Sequence, residues 1–206
     1  VNALYALHIG GCVLLITNPR DIPAFVKTLK QERVSVITGV NTLFNALLNN
    51  PDFASVDFSS WKVALGGGMA VQKAVADRWQ QTVGIPLIEA YGLTETSPAA
   101  SMNPLNLTAY NGSIGLPISN TEVDIRNDER QSLPLGEIGE LWIKGPQVMR
   151  GYWQRPEDTA KVIDELGFFA TGDMAIMDEQ GFIKLVDRKK DMIVVSGFNV
   201  YPNEIE

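Results

Sequence analysis

The sequence predicts an α/β fold: a parallel, doubly wound sheet with helices, followed by a small antiparallel β-barrel or sheet. Two observations predict it. Through the first ninety residues short apolar runs alternate with helical patterns, the texture of strand–helix–strand units. From about residue 109 apolar residues alternate with charged ones, and turn formers recur.

Each element has its own justification. Residues 12-CVLLI-16, 34-VSVI-37, 63-VAL-65 and 87-LIEA-90 are near-continuous apolar runs, as strands buried on both faces should be. Between them, Ile22, Phe25, Val26 and Leu29 repeat with helical spacing behind a capping Asp21. Val40, Leu43, Phe44, Leu47 and Leu48 form a second such stripe, and Val71, Ala74, Val75 and Trp79 a third. In the later part Val123 and Ile125 alternate with charged residues, and Leu141 and Ile143 continue the alternation. Turn signals stand at "RNDERQ", "LPLGEIG", "KGPQ" and "DEQG". The run 187-DRKKD-191 reads as a solvated turn or a linker, and 192-MIVVSG-197 as a further strand.

Composition narrows the function classes. The 206 residues are 45% hydrophobic and 20% charged, enough apolar content for a normal core. A net charge of -7 argues against nucleic acid or anionic lipid as a partner through bulk electrostatics. The single cysteine, Cys12, allows no internal disulfide, fits a reducing compartment and reads as a small buried side chain. His8, the only histidine, leaves no His pair for a metal and reads as structural. The longest uncharged stretch falls short of the ~20 apolar residues of a membrane span, and no secretory signal is seen. The chain begins at Val1 and ends at "YPNEIE", which reads as an internal piece of a longer protein.

Open parallel sheets bind ligands beyond the carboxyl ends of their strands, and "YGLTETS" lies just there, after the run 87–90. Tyr91 offers a flat ring, Gly92 close backbone approach, Thr94 a hydroxyl and Glu95 a carboxylate of the kind Mg²⁺ accepts. The same letters also suit a polar turn with a helix cap. The run 66-GGG-68 at a strand-to-helix junction suits an anion against backbone N–H groups, or simply a tight turn. In 171-TGD-173 the aspartate is either an acceptor or a cap for its own turn. Arg188 is either a two-pronged donor or a solvated charge. A dinucleotide fingerprint would need glycine at Val71, and no Gly-Lys pair exists for a P-loop.

Taken in order, "YGLTET", "GELWIKGPQVMRGYWQRPEDT", "TGD" and "DRKKDMIVVSGFNVYPNEIE" resemble the adenylate-forming superfamily of acyl-CoA synthetases, peptide-synthetase adenylation domains and luciferases. The likeness covers essentially the whole chain. "LLITNPRDIP" and "ITGVNTLFNALLNN" are most similar to bacterial long-chain fatty acid–CoA ligases.

That resemblance implies an ATP-dependent fatty acid–CoA ligase, an acid–thiol ligase, with Mg²⁺ as cofactor and fatty acid, ATP and CoA as partners. Tyr91 would stack on adenine, with Gly67, Gly68, Glu89 and Ala90 lining its pocket and Gly92 beside it. Thr94 would contact phosphate, Glu95 would hold Mg²⁺, and Asp173 with Arg188 would take the ribose hydroxyls. Lys190 would be the hinge of a C-terminal α+β domain, and Ser196, Gly197 and Phe198 would meet the CoA arm. Val40, Asn41, Gly66 and Met69 would wall the acyl pocket. The implied division is 1–108 for the α/β part of the adenylation domain, 109–187 for its antiparallel part, and 188–206 for the hinge and first C-terminal strands.

The resemblance also implies a phosphate loop before Val1 and a lysine after Glu206, so the 206-residue chain alone is expected to be inactive. A cytoplasmic location is implied, with room for peripheral contact at the inner membrane face and for a homodimer. An aryl, amino or medium-chain acid, a carrier-protein thiol in place of CoA, and a non-catalytic nucleotide-binding module remain alternatives.

Overall fold

A computed structural model describes residues 2–191, 193–195, 198–200 and 202. The chain divides into two compact units, Val1–Ala90 with Pro104–Gly112, and Tyr91–Asn103 with Ser113–Glu206. No helix among the described residues is long and apolar enough to cross a membrane.

The first unit starts with helix α1 (Asn2–His8) and continues with α2 (Ile22–Gln31), β1 (Val36–Gly39), α3 (Asn41–Asn49), β2 (Val63–Gly66), α4 (Lys73–Val83) and β3 (Leu87–Tyr91). β1 pairs with β2 and β2 with β3, both in parallel, so α3 and α4 are the crossovers. The three predicted helical stripes become α2, α3 and α4. Asp21 caps α2, its Oδ1 accepting the Ala24 N–H at 3.1 Å. Gly84 ends α4 in the left-handed conformation. Phe44 of α3 meets Trp79 of α4 edge to face at 4.8 Å between ring centroids. Phe53 and Trp61 join them, making an aromatic-rich core.

Residues 12–16 depart from the expected strand. They have no regular structure, Leu14 and Leu15 are exposed, and Cys12 is exposed rather than buried. A doubly buried strand needs a hydrogen-bonded neighbour, and β1 pairs only with β2 among the described residues. His8 likewise is not a structural residue of the interior; it sits exposed in the last turn of α1.

The second unit holds the short pair β4 (Ser101–Met102) and β5 (Leu116–Pro117). It also holds an open antiparallel sheet, β6 (Glu122–Arg126), β7 (Gly139–Lys144), β8 (Phe169–Met177) and β9 (Ile183–Arg188), in that order. The antiparallel part is therefore a sheet and not a closed barrel. α5 (Pro156–Val162) lies between β7 and β8, and β10 (Ile193–Val195) pairs with β11 (Phe198–Val200).

β7 breaks simple alternation, because Leu141, Trp142 and Ile143 are all buried. Leu141 and Ile143 join the core with Ile125, Ala175 and Ile183. Trp142 is covered from the other face by Arg126, whose guanidinium lies 4.7 Å from its ring centre and 4.5 Å from that of Phe168. Arg126 is 7% exposed and is neutralised by Asp124 at 2.6 Å and Asp164 at 2.7 Å.

Candidate functional site

In the first unit the residues around Gly66–Gly68 are set by close packing. A Cβ on Gly66 would stand 2.6 Å from the Val71 side chain, and one on Gly67 would stand 3.2 Å from the Ala90 carbonyl. Gly68 has φ +79° and packs beside Val40, which is half-exposed, as is Met69. The N–H groups leading into α4 are taken up inside the protein. Glu89 Oε1 accepts from Val71 at 2.8 Å, and Asn41 Oδ1 accepts from Gln72 at 3.0 Å.

Glu89 is buried, and burial pushes its pKa above the ordinary carboxyl range, against the Val71 N–H and Tyr110 hydroxyl, which lower it. Tyr110 is pushed up to about 12, first by burial and then by the Glu89 charge. Ala90 continues β3 toward Tyr91. Asn41 is a buried acceptor at the start of α4, a role that its expected place in the acyl wall did not suggest.

In the second unit β3 delivers Tyr91 to a turn. A Cβ on Gly92 would collide with the Pro98 carbonyl, so glycine is required there by close approach. Thr94–Thr96 then form one 3₁₀ turn. The two threonines divide their work. Thr94 is exposed, while Thr96 is fully buried, its Oγ1 accepting the Leu93 N–H at 2.9 Å and donating to the Pro98 carbonyl at 2.7 Å. Glu95 is half-buried. Its carbonyl accepts the Met149 N–H at 2.7 Å and its carboxylate accepts the Tyr152 hydroxyl at 3.0 Å.

Asp173 lies on β8 opposite Arg188 on β9. Its side chain is 13% exposed; Oδ2 accepts the Tyr91 hydroxyl at 2.5 Å, and Oδ1 lies 3.7 Å from Arg188 Nε. Burial, then the Asp173 charge and hydrogen bond, raise the Tyr91 pKa far above its ordinary value, so the phenol stays a neutral donor. Arg188 is 64% exposed along its side chain and keeps donors toward solvent.

The turn that carries Asp173 is heavily braced. Thr171 Oγ1 donates to the Leu141 carbonyl at 2.8 Å, and the Gly172 N–H donates to Glu140 Oε1 at 3.1 Å. Lys189 Nζ bonds Glu140 Oε2 and Asp128 Oδ1, each at 2.9 Å. Burial pulls the Lys189 pKa down, but those two carboxylates outweigh it and hold the ammonium above its ordinary value. A cleft of about 440 Å³ opens here, walled by Glu95, Tyr152, Trp142, Thr171, Gly172 and Lys189 among others.

The second unit thus brings Tyr91, Asp173 and Arg188 together, and sets Glu95 with Thr171 and Gly172 on one cleft. Lys190 follows β9 and is exposed. Ser196 and Gly197 lie outside the described residues; the backbone of Phe198 starts β11. Tyr152, Glu140 and Lys189 escaped the sequence reading. Their partners are 57, 32 and 49 positions away in the chain. The signal available was only their place inside "GELW", "GYW" and "DRKK".

Residues 1–153 match the family model described as AMP-binding enzyme. The chain is 59% identical over 206 residues to a long-chain-fatty-acid–CoA ligase of Yersinia pestis, covering 100% of this chain and 36% of that protein. It is 38% identical over 204 residues to the Bacillus subtilis protein of the same name, again 36% of its length. The fold matches ATP-bound MatB from Rhodopseudomonas palustris with a TM-score of 0.89 and 29% identity, over 99% of this chain and 40% of that one. It matches anthranilate CoA ligase AuaEII in complex with anthranoyl-AMP equally well, with a TM-score of 0.89 and 26% identity, over 100% of this chain and 39% of that one. The chain spans 36% of the length of these curated relatives. Because that family model matches residues 1–153, well over half of the sequence, the chain belongs to the family of AMP-binding enzymes.

Proposed function

We propose that this chain is the nucleotide-handling portion of an ATP-dependent long-chain fatty acid–CoA ligase, acting in the cytoplasm. The observation that carries the reading is the meeting of Tyr91, Asp173 and Arg188: a flat ring, a largely enclosed carboxylate and an exposed guanidinium. The ring suits a base, and the carboxylate with its arginine suits two vicinal hydroxyls. Fatty acid is the favoured acid because the relatives bearing that name align with the full chain at up to 59% identity.

In the proposed reaction the fatty carboxylate attacks the α-phosphorus of ATP, giving acyl-AMP and pyrophosphate. The CoA thiol then displaces AMP to give the thioester. The carboxylate is already ionised near pH 7, so the first step needs no general base. What this chain contributes is position: Tyr91 and Asp173 hold the nucleoside, and exposed Thr94 offers a hydroxyl to phosphate. Gly67 and Gly68 admit the nucleotide near bare backbone, and Lys190 serves as hinge for a following domain. Val40, Asn41, Gly66 and Met69 remain the proposed acyl wall, with Asn41 acting through the α4 cap it makes.

Glu95 fits Mg²⁺. It is a half-buried carboxylate that accepts the Tyr152 hydroxyl, and Mg²⁺ usually keeps several waters and takes one or two carboxylates with substrate phosphates. When bound, the ion neutralises phosphate charge. No group of three or more His, Cys, Asp or Glu that could hold a metal stands among the described residues.

The test is pyrophosphate release by the complete protein that carries this sequence, with ATP and Mg²⁺, across carboxylates from acetate to oleate, with and without CoA. Release that rises with chain length and yields acyl-CoA is expected. Release with aryl or amino acids alone would replace the acid while keeping the chemistry. No release with any acid would favour a non-catalytic nucleotide-binding module. Co-sedimentation with inner-membrane vesicles and mass measurement in solution would test peripheral membrane contact and a homodimer.

A further inference from the structure

We propose that Glu140 and Lys189 form a clamp that positions the Asp173 carboxylate, and that they thereby set how strongly the site favours a ribose bearing its hydroxyls. The inference rests on the reading of Asp173 as the ribose acceptor.

The clamp follows from the register of β7 and β8. Glu140 pairs with Met174 and Trp142 pairs with Ala170, so Leu141 alone faces Thr171, Gly172 and Asp173. Those residues bulge out of the ladder, and a bulge leaves backbone groups without strand partners while re-aiming a side chain. Both backbone groups of Gly172 are met individually. Glu140 Oε1 takes the Gly172 N–H at 3.1 Å, and the Gly172 carbonyl takes the Lys189 N–H at 2.9 Å. Glu140 Oε2 takes Lys189 Nζ at 2.9 Å, closing a ring of three bonds around Gly172. Gly172, at φ +74°, has more backbone freedom than any other residue type would, so its conformation must be selected from outside.

The charges decide which partner of Lys189 matters. Asp128 is 79% exposed, and an exposed pair is screened and weak. Glu140 is 10% exposed, and a buried carboxylate without its cation is costly. Lys189 is the cation recorded on Glu140 among the described residues. Removing either partner frees the turn one residue before Asp173, whose carboxylate must point at both Tyr91 and Arg188.

A merely structural pair would weaken all nucleotides alike, so the test uses the affinity of the complete protein for ATP and for 2′,3′-dideoxy-ATP, by calorimetry. Asp173→Ala comes first and should erase the preference for ATP; if the preference survives, Asp173 is not the ribose acceptor and the premise falls. Given that loss, Glu140→Ala and Lys189→Met should each weaken ATP roughly 3- to 20-fold, a fraction of a charge-assisted hydrogen bond, and leave dideoxy-ATP within about twofold. Lys189→Arg should stay within about twofold for both, and Asp128→Asn likewise. A wild-type preference in both variants, or equal weakening of the two nucleotides, would overturn the clamp. Should Glu140→Ala fail to fold, Lys189→Met, changed at a half-exposed side chain, decides alone.

Discussion

At the scale of single residues, the proposed site depends on carboxylates in different surroundings. Asp173 is nearly enclosed and held by a neutral phenol and a cation; Glu95 is half-open, and its carboxylate accepts the Tyr152 hydroxyl. The first suits a fixed acceptor, the second a ligand that must accept a hydrated ion. Asp173→Ala in the complete protein should raise the KM for ATP by roughly tenfold or more, the loss of charged hydrogen bonds to two hydroxyls, with the melting temperature little changed. An unchanged ATP dependence would remove Asp173 from the site. Glu95→Ala should instead lower kcat at saturating ATP, with partial recovery at high Mg²⁺, read in the same pyrophosphate assay. Tyr152→Phe should move the Mg²⁺ dependence while leaving the KM for ATP close to wild type.

Among elements, the segment from Tyr91 to Ala100 is shaped by a near-contact rather than by propensity. The chain doubles back so tightly that Gly92 lies against the Pro98 carbonyl, while buried Thr96 bonds both sides of the turn. Gly92→Ala should therefore cost about 1–3 kcal/mol, the range for overpacking against backbone, and misplace Tyr91 with it. A denaturant midpoint equal to wild type would show that the turn yields freely. Gly66→Ala should be milder, because its obstacle is the Val71 side chain and not backbone.

For the molecule as a whole, two acids, half-buried Asp164 and buried Glu89, pull stability in opposite directions with pH. Burial acts on Asp164 to raise its pKa, but Arg126 and the Phe168 N–H outweigh it and hold it below the ordinary value. Its contribution is present above the unfolded value of about 3.8 and is lost as pH falls through the lowered one. Glu89 is raised, so its native form keeps a proton that the unfolded chain has released. Its contribution is full below about 4.5 and is lost as pH rises through the raised pKa. Glu89→Gln, which keeps an acceptor for the Val71 N–H, should flatten that loss in unfolding curves taken from pH 4 to 8; an unaltered slope would exclude Glu89 as its source. In the aromatic core, Phe44→Ala should cost about 3–5 kcal/mol, because Phe44 is fully buried against Trp79.

Much of this was legible in the sequence. The stripes of α2, α3 and α4, the strands β1 to β3 and the hairpin turn before β9 follow from period and turn chemistry, because those signals live within a dozen neighbouring residues. So does the placement of Tyr91 and Glu95 at and just past a strand end. The run 12–16 misled because apolar content alone cannot supply a hydrogen-bonded neighbour, and Cys12 is exposed with it. Trp142 was hidden because the residue that covers it is a charged arginine neutralised from two places in the chain. The residue types of the site were set by the sequence alone. Only the tertiary structure decided their use: it joined Tyr91 to Asp173 across 82 positions and braced Asp173 from Glu140 and Lys189. Hydrogen bonds and ion pairs depend on distance in space, and strand register, not sequence separation, sets that distance.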